Sequence, residues 1–171
     1  MKNFEFPLPP SGLLVTDTAT AKRWPCEVLG WGANSIQGRL LTFDVAQQLI
    51  KVQAAAAKAA TAIRFNQFKC MRVDGGMRVL GASPERTVES VLNFQPYTIR
   101  LIDGSRLTGH SAGVQDLPSG LWMFVKDPTG SGIARLFVPR SALESYEAAD
   151  VATSNIDADS FSATDFSSTL M

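Results

Sequence analysis

The chain has 171 residues, 45% of them hydrophobic, which supplies one ordinary domain or two very small ones with enough apolar mass for a core. No apolar run reaches the roughly eighteen residues of a membrane helix, and the opening MKNFEFPLPPSG has prolines where a secretory leader has its apolar stretch, so a protein that stays in the cytoplasm without membrane insertion is expected. Net charge is zero but lopsided: residues 1–140 hold all sixteen Lys and Arg against ten acids, a net of +6, and residues 141–171 hold six acids and no base, a net of −6.

Residues 1–23 read as an extended N-terminal arm. Pro7, Pro9 and Pro10 fix their own φ and push the preceding residues toward extended backbone. Phe4, Phe6 and Leu8 alternate, so the arm should lie on a sheet edge or plug a groove. Residues 24–75 read as a first β unit. CEVLGW is a short apolar strand, GAN a turn, SIQGRLLTFD a strand, DVAQQ a connection and LIKVQ another alternating strand. AAAAKAA has helix propensity, but seven residues are too few for an isolated helix, so a loop is expected. In AIRFNQFKCMRV, a strand through Ile63 and Phe65 should turn at Asn66–Gln67 into a further strand.

Residues 76–96 read as a linker. Gly75, Gly76, Gly81 and Pro84 interrupt the pattern, and SPERTVESVL fits a short helix with Ser83 as N-cap and Pro84 at the first helical position. Residues 97–149 read as a second β unit. YTIRLIDGSRLTGHSAGV is a hairpin signal with an Asp103-Gly104 turn, GLWMFVKD a buried strand and DPTGSG a turn. IARLFVPRSALESYE is a strand broken at Pro139, followed by a last short strand or helical turn. Residues 150–171 are rich in Ser, Asp and Thr and hold no base, the composition of a disordered acidic tail. Such a tail can screen a basic face from nonspecific anions.

The two units follow one pattern. Gly38-Arg39-Leu40 and Gly109-His110-Ser111 lie 71 residues apart and are followed in the same order by LIKV and LWMFV, then by IRFNQF and RLFVPRSAL. A unit of roughly 50 residues buries little surface by itself, so the expected fold is mainly β: two tandem small bent-sheet or barrel units packed together, with the acidic tail beyond them. The element order resembles the small Sm-like or SH3-like barrel. The expected core is Ile36, Leu40, Phe43, Val52, Ile63, Phe65, Ile99, Leu101, Leu121, Met123, Val125, Leu136 and Val138.

Reactive constellations are sparse. No phosphate-binding loop is present. His110 is the one histidine, and it sits mid-strand with no carboxylate partner in sequence. Cys26 and Cys70 have no metal-ligand spacing and read as small buried hydrophobes. These features predict a binding protein without catalytic residues, metal or cofactor. Trp24, Trp31 and Trp122 are candidate partner-binding anchors, since Trp is over-represented among binding hot spots. An alternative is nucleic-acid binding through Arg64, Lys69, Arg72 and Arg78, which cluster in sequence around Phe65 and Phe68. A second alternative is a cyclic-dinucleotide sensor of the PilZ type. Asp103-Gly104-Ser105-Arg106-Leu107-Thr108-Gly109 approaches that family's [DN]-x-S-x-x-G strand motif but misses it by one residue, and no R-x-x-x-R arm precedes it.

Three stretches carry a wider resemblance: FEFPLPPSG, then IQGRLLTFD with IRFNQFKCMRV, then DGSRLTGHSAGV with GLWMFV and RLFVPRSA. Together, over roughly residues 3–145, they resemble the accessory N-terminal region of some ATPases of the type II secretion and type IV pilus assembly class. The resemblance implies a cytoplasmic bacterial protein that docks on such a machine or regulates its motor. The ATPase core of that family, with its phosphate-binding loop, is missing from this sequence, so ATP hydrolysis is not implied.

Overall fold

The computed structural model describes residues 6, 14–16, 24–79, 92–126 and 133–148. Among them lie eleven strands: β1 (Leu14–Thr16), β2 (Pro25–Gly30), β3 (Ser35–Asp44), β4 (Leu49–Ala54), β5 (Thr61–Arg64), β6 (Phe68–Val79), β7 (Gln95–Leu101), β8 (Arg106–Leu117), β9 (Gly120–Lys126), β10 (Ile133–Pro139) and β11 (Leu143–Ala148). All join one antiparallel sheet that does not close on itself. Its order is β11-β7-β8-β9-β10-β6-β2-β3-β4-β5, with β1 paired to β6 off this path. The protein is thus mainly β, as its alternating pattern predicts.

The sheet path shows the repeat. In the first half, β2 to β6 are arranged β5-β4-β3-β2-β6; in the second, β7 to β11 are arranged β10-β9-β8-β7-β11. The strand order is the same, and β10 of the second half pairs with β6 of the first to fuse the two. Local irregularities repeat as well. The second strand of each half carries a register shift, between Leu40 and Thr42 in β3 and between Ser111 and Val114 in β8. The start of the last strand carries another, opposite Leu29–Gly30 in β6 and between Leu143 and Ser145 in β11. Bulges bend a strand and increase its twist, so both sheets curl at corresponding points.

Each shifted second strand holds its glycine two residues before the bulge. A Cβ on Gly38 would drive into the Gln53 carbonyl of β4, and one on Gly109 would meet the Tyr97 hydroxyl at 2.9 Å. Neither strand can bend this closely onto its neighbour with a side chain in the way. The fourth and fifth strands of each half are also joined alike. Phe65–Gln67 forms a 3-10 turn before β6, and Arg140–Ala142 forms the turn before β11.

Two buried clusters fill the fold. The first holds Val28, Leu40, Ile50, Val52, Phe65, Phe68, Met71, Val73 and also Trp122 and Phe137 from the second half. The second holds Ile99, Leu101, Leu121, Met123, Val125, Leu136, Val138 and also Cys70 from the first half. Strand alternation explains the exchange. Successive residues of β9 and β10 face opposite cores, so both strands are buried along almost their whole length.

Of the expected core, Ile36, Phe43 and Ile63 are half-buried against the first cluster and the other ten residues are buried. Phe6 of the arm enters the first cluster, its ring 4.8 Å from Trp24 and 5.4 Å from Trp122. β1 of the arm lies along Met77–Val79 of β6. The arm therefore both packs into a core and pairs along β6 inside the sheet. Phe4 and Leu8 lie outside the described residues.

Two segment boundaries differ from the reading of the sequence. β6 continues through Gly75 and Gly76 to Val79, and β7 begins at Gln95, so the expected linker 76–96 is strand at both ends. The backbone of Met77 is paired on one side to β1 and on the other to β10, and such distant partners leave no mark on the local sequence. Of the two alternatives expected for the last element, β11 is the strand. The expected helix near Ser83–Pro84, the DPTGSG turn and the tail 150–171 lie outside the described residues.

Candidate functional site

Among the described residues no three His, Cys, Asp or Glu side chains are placed to hold a metal. His110 is exposed on β8, opposite Pro96 of β7. Both cysteines are buried free thiols. Burial raises the Cys26 thiol to about 12, with help from Asp74, and the Cys70 thiol to about 11, against a partial lowering by Lys69. Such thiols are protonated and inert at neutral pH.

The feature that gathers chemistry is a groove of about 780 Å³ across the junction of the halves. Its first wall comes from β2 and β6, through Glu27, Leu29 and Arg72. Its second comes from β8, through Arg106, Thr108 and His110, which alternation places on one exposed face. Lys126 stands at the end of β9, and Phe94 and Tyr97 supply aromatic surface. Glu27 is the single carboxylate among the lining residues, against the cations Arg72, Arg106 and Lys126. Arg72 ion-pairs with Glu27 at 3.5 Å and with Asp74 at 3.2 Å, which neutralises part of the first wall and leaves β8 as the basic side. A second concavity of about 770 Å³ lies on the first half. There Arg39 donates to the Gln53 side chain at 2.9 Å, so its polar groups hold one another.

The three tryptophans have different fates. Trp122 is 1% exposed and stacks against Phe137 at 4.7 Å between ring centroids. It is corrected from partner anchor to core residue, because both faces of β9 are covered. Trp24 and Trp31 are half-buried. Trp24 has φ +40°, a left-handed conformation that non-glycine residues seldom adopt. Its ring packs on Phe6 and lies 5.8 Å from the Arg135 guanidinium, which is itself 5.0 Å from the Phe6 ring centroid. Arg135 is 3% exposed, and burial lowers its pKa to about 10, so it remains a cation at neutral pH. Two aromatic faces on a desolvated guanidinium make a cation–π site, which fastens the arm to β10. Trp31 donates from Nε1 to the Asn66 carbonyl at 3.1 Å and packs at the margin of the second cluster.

Of the basic set suggested by the sequence, Arg72 alone of the described side chains lines the groove. Arg72 is ion-paired as described. Arg64 is exposed at the end of β5 beside the 3-10 turn, with its backbone N–H donating to the Gln67 side chain at 2.8 Å. Lys69 sits at the β6 bulge and does not line the groove. Arg78 pairs through its backbone with Val15, and its side chain lies outside the described residues. The Asp103-Gly104 segment is the expected hairpin turn. Gly104 has φ +86°, and Asp103 accepts from the Ser105 backbone at 2.9 Å and its hydroxyl at 2.5 Å. Those two bonds hold the Asp103 carboxyl below its ordinary range and occupy it with turn geometry.

Arg106, Lys126, Phe94 and Tyr97 were not legible as site residues. The run R-L-T-G-H shows that Arg106 and His110 share a face. Nothing local shows that this face meets Arg72 across the sheet.

Comparison with family models, with curated proteins and with solved structures finds no match to this chain. Among the described residues no helix is long and apolar enough to cross a membrane.

Proposed function

We propose that the chain is a non-enzymatic protein-binding module whose docking surface is the groove between its halves. The carrying observation is the lining of that groove, with Arg106 of β8 and Lys126 of β9 as cations and aromatic surface at Phe94 and Tyr97, drawn from both halves. The chemistry suits a polypeptide segment that presents carboxylates beside aromatic or aliphatic anchors. Charge supplies encounter and register, and the anchors supply affinity.

On the sequence's resemblance to the accessory region of secretion and pilus ATPases, the partner we propose is a component of such a machine in the bacterial cytoplasm. The test is binding of the purified full chain to the assembly ATPase of its own host's secretion or pilus system, measured by biolayer interferometry. Arg106→Glu should weaken binding at least tenfold, and raising salt should slow association. An ATPase that does not bind, or that binds Arg106→Glu as tightly as the native chain, would sink this reading.

A further inference from the structure

We propose that the groove is also the docking site of this chain's own C-terminal segment, residues 149–171, which competes there with the partner. The inference rests on the groove being a docking surface and adds a mode of regulation to it. Three observations carry it.

The first is position. β11 runs antiparallel to β7, with Ser145 opposite Arg100, Tyr146 opposite Ile99, Glu147 opposite Thr98 and Ala148 opposite Tyr97. Tyr97 lines the groove, and so does Phe94 three residues earlier. The last described residue of β11 therefore pairs with a groove-lining residue, and residues 149–171 follow it in the chain. Pro96, which precedes Tyr97 on β7, offers no N–H for a further ladder bond.

The second is charge. Residues 149–171 hold Asp150, Asp157, Asp159 and Asp165 and no Lys or Arg. They follow β11 in the chain, and the groove lining includes the cations Arg106 of β8 and Lys126 of β9 with Glu27 as its single acid. The third is side-chain chemistry. Phe161 follows Asp159 by two residues and Phe166 follows Asp165 directly, which is the carboxylate-plus-aromatic pairing that the groove's cations and aromatic surface would accept. A tether of this length holds the segment at an effective concentration of the order of millimolar, so weak contacts suffice to occupy the groove until a tighter partner displaces them.

The experiment uses the full chain. Cys26 and Cys70 are buried with raised thiol pKa values, so a spin label attaches selectively to Ser160→Cys. In low salt the label should broaden the amide signals of Phe94, Thr108 and His110 at least threefold more than those of Gln47 and Gln48 in the distant β3–β4 turn. Arg106→Glu, 0.5 M sodium chloride, and replacement of the four tail aspartates by asparagine should each cut that contrast at least twofold. The asparagine tail should also bind the ATPase about fivefold more tightly. Contrast that is indifferent to salt and to both charge changes reports tethering alone and overturns the proposal. Partner binding that depends on Arg106 with no tail contact fails the tail and leaves the docking surface standing. Tail contact with partner binding indifferent to Arg106 does the reverse.

Discussion

The two halves share a strand path and differ in what fills them. The first core is aromatic: Phe65, Phe68, Trp122 and Phe137, joined by Phe6, Trp24 and Phe43, have ring centroids 4.7 to 6.3 Å apart. The second is aliphatic, built on Ile99, Leu101, Leu121, Met123, Leu136 and Val138, with Tyr97 as its one buried aromatic residue. The same order of strands, the same bulges and the same close-approach glycines accommodate both fillings. The path is thus set by alternation, glycine placement and bulge position, and the core chemistry is free to vary within it. The aromatic core also draws on parts distant in sequence. It needs the arm and two strands of the other half, whereas the aliphatic core is nearly self-contained.

That asymmetry can be broken at Trp122. Trp122→Ala should cost about 3–5 kcal/mol in urea unfolding, as large buried aromatics do, and amide exchange should rise across β3 and β4 although the mutated residue lies in the second half. Leu121→Ala, its neighbour on the opposite face, should instead loosen β7 and β11. If both substitutions perturb the same strands, the separation into two cores is wrong.

The glycines sharpen the comparison. Gly38→Ala pushes against backbone and should destabilise by about 2–3 kcal/mol. Gly109→Ala meets the outer end of the Tyr97 ring, which can shift, and about 1 kcal/mol is expected. Equal costs would show that the two bends are closer in construction than their contacts indicate. Phe6→Ala removes contacts with Trp24, Trp122 and Arg135 and should cost about 1–2 kcal/mol, with loss of near-ultraviolet circular dichroism from the aromatic core. An unchanged melting profile would detach the arm from that core.

The smallest effect belongs to the second half. Asp116 of β8 accepts from Arg140 in the turn and from the Tyr146 hydroxyl at 3.0 Å on β11. The Arg140 hydrogen bond, more than the bond from Tyr146, holds its carboxyl below the ordinary range. A depressed folded-state pKa contributes stability above the unfolded value and loses it as pH falls through the folded one. The contribution should therefore begin to fall below about pH 4 and fade as pH drops through the lower folded value. The group is exposed, so Asp116→Asn should cost under about 1 kcal/mol at pH 7 and less at pH 2. A cost that persists undiminished at pH 2 would point to packing in place of charge.

How much was legible depends on the distance over which a signal acts. SIQGRLLTFD reads as strand from its own residues and is strand at those limits. The Asp103-Gly104 turn and the turn at Asn66–Gln67 are equally local. Trp122 defeated the reading because a strand buried on both faces loses its alternation, so nothing in GLWMFVK distinguishes a core tryptophan from an exposed one. The groove defeated it for a different reason. Arg72 and Arg106 are 34 residues apart and line one groove because the sheet curves.

The sequence by itself determined the β class, the repeat and most strand limits, since these follow from alternation and turn chemistry acting over a few residues. Only the tertiary structure decided that the halves exchange core residues and share a sheet, that β6 runs on between β1 and β10, and that cations from separate strands face one groove. Those outcomes depend on pairings between distant strands, whose free energy lies in surfaces that meet only after the chain has folded.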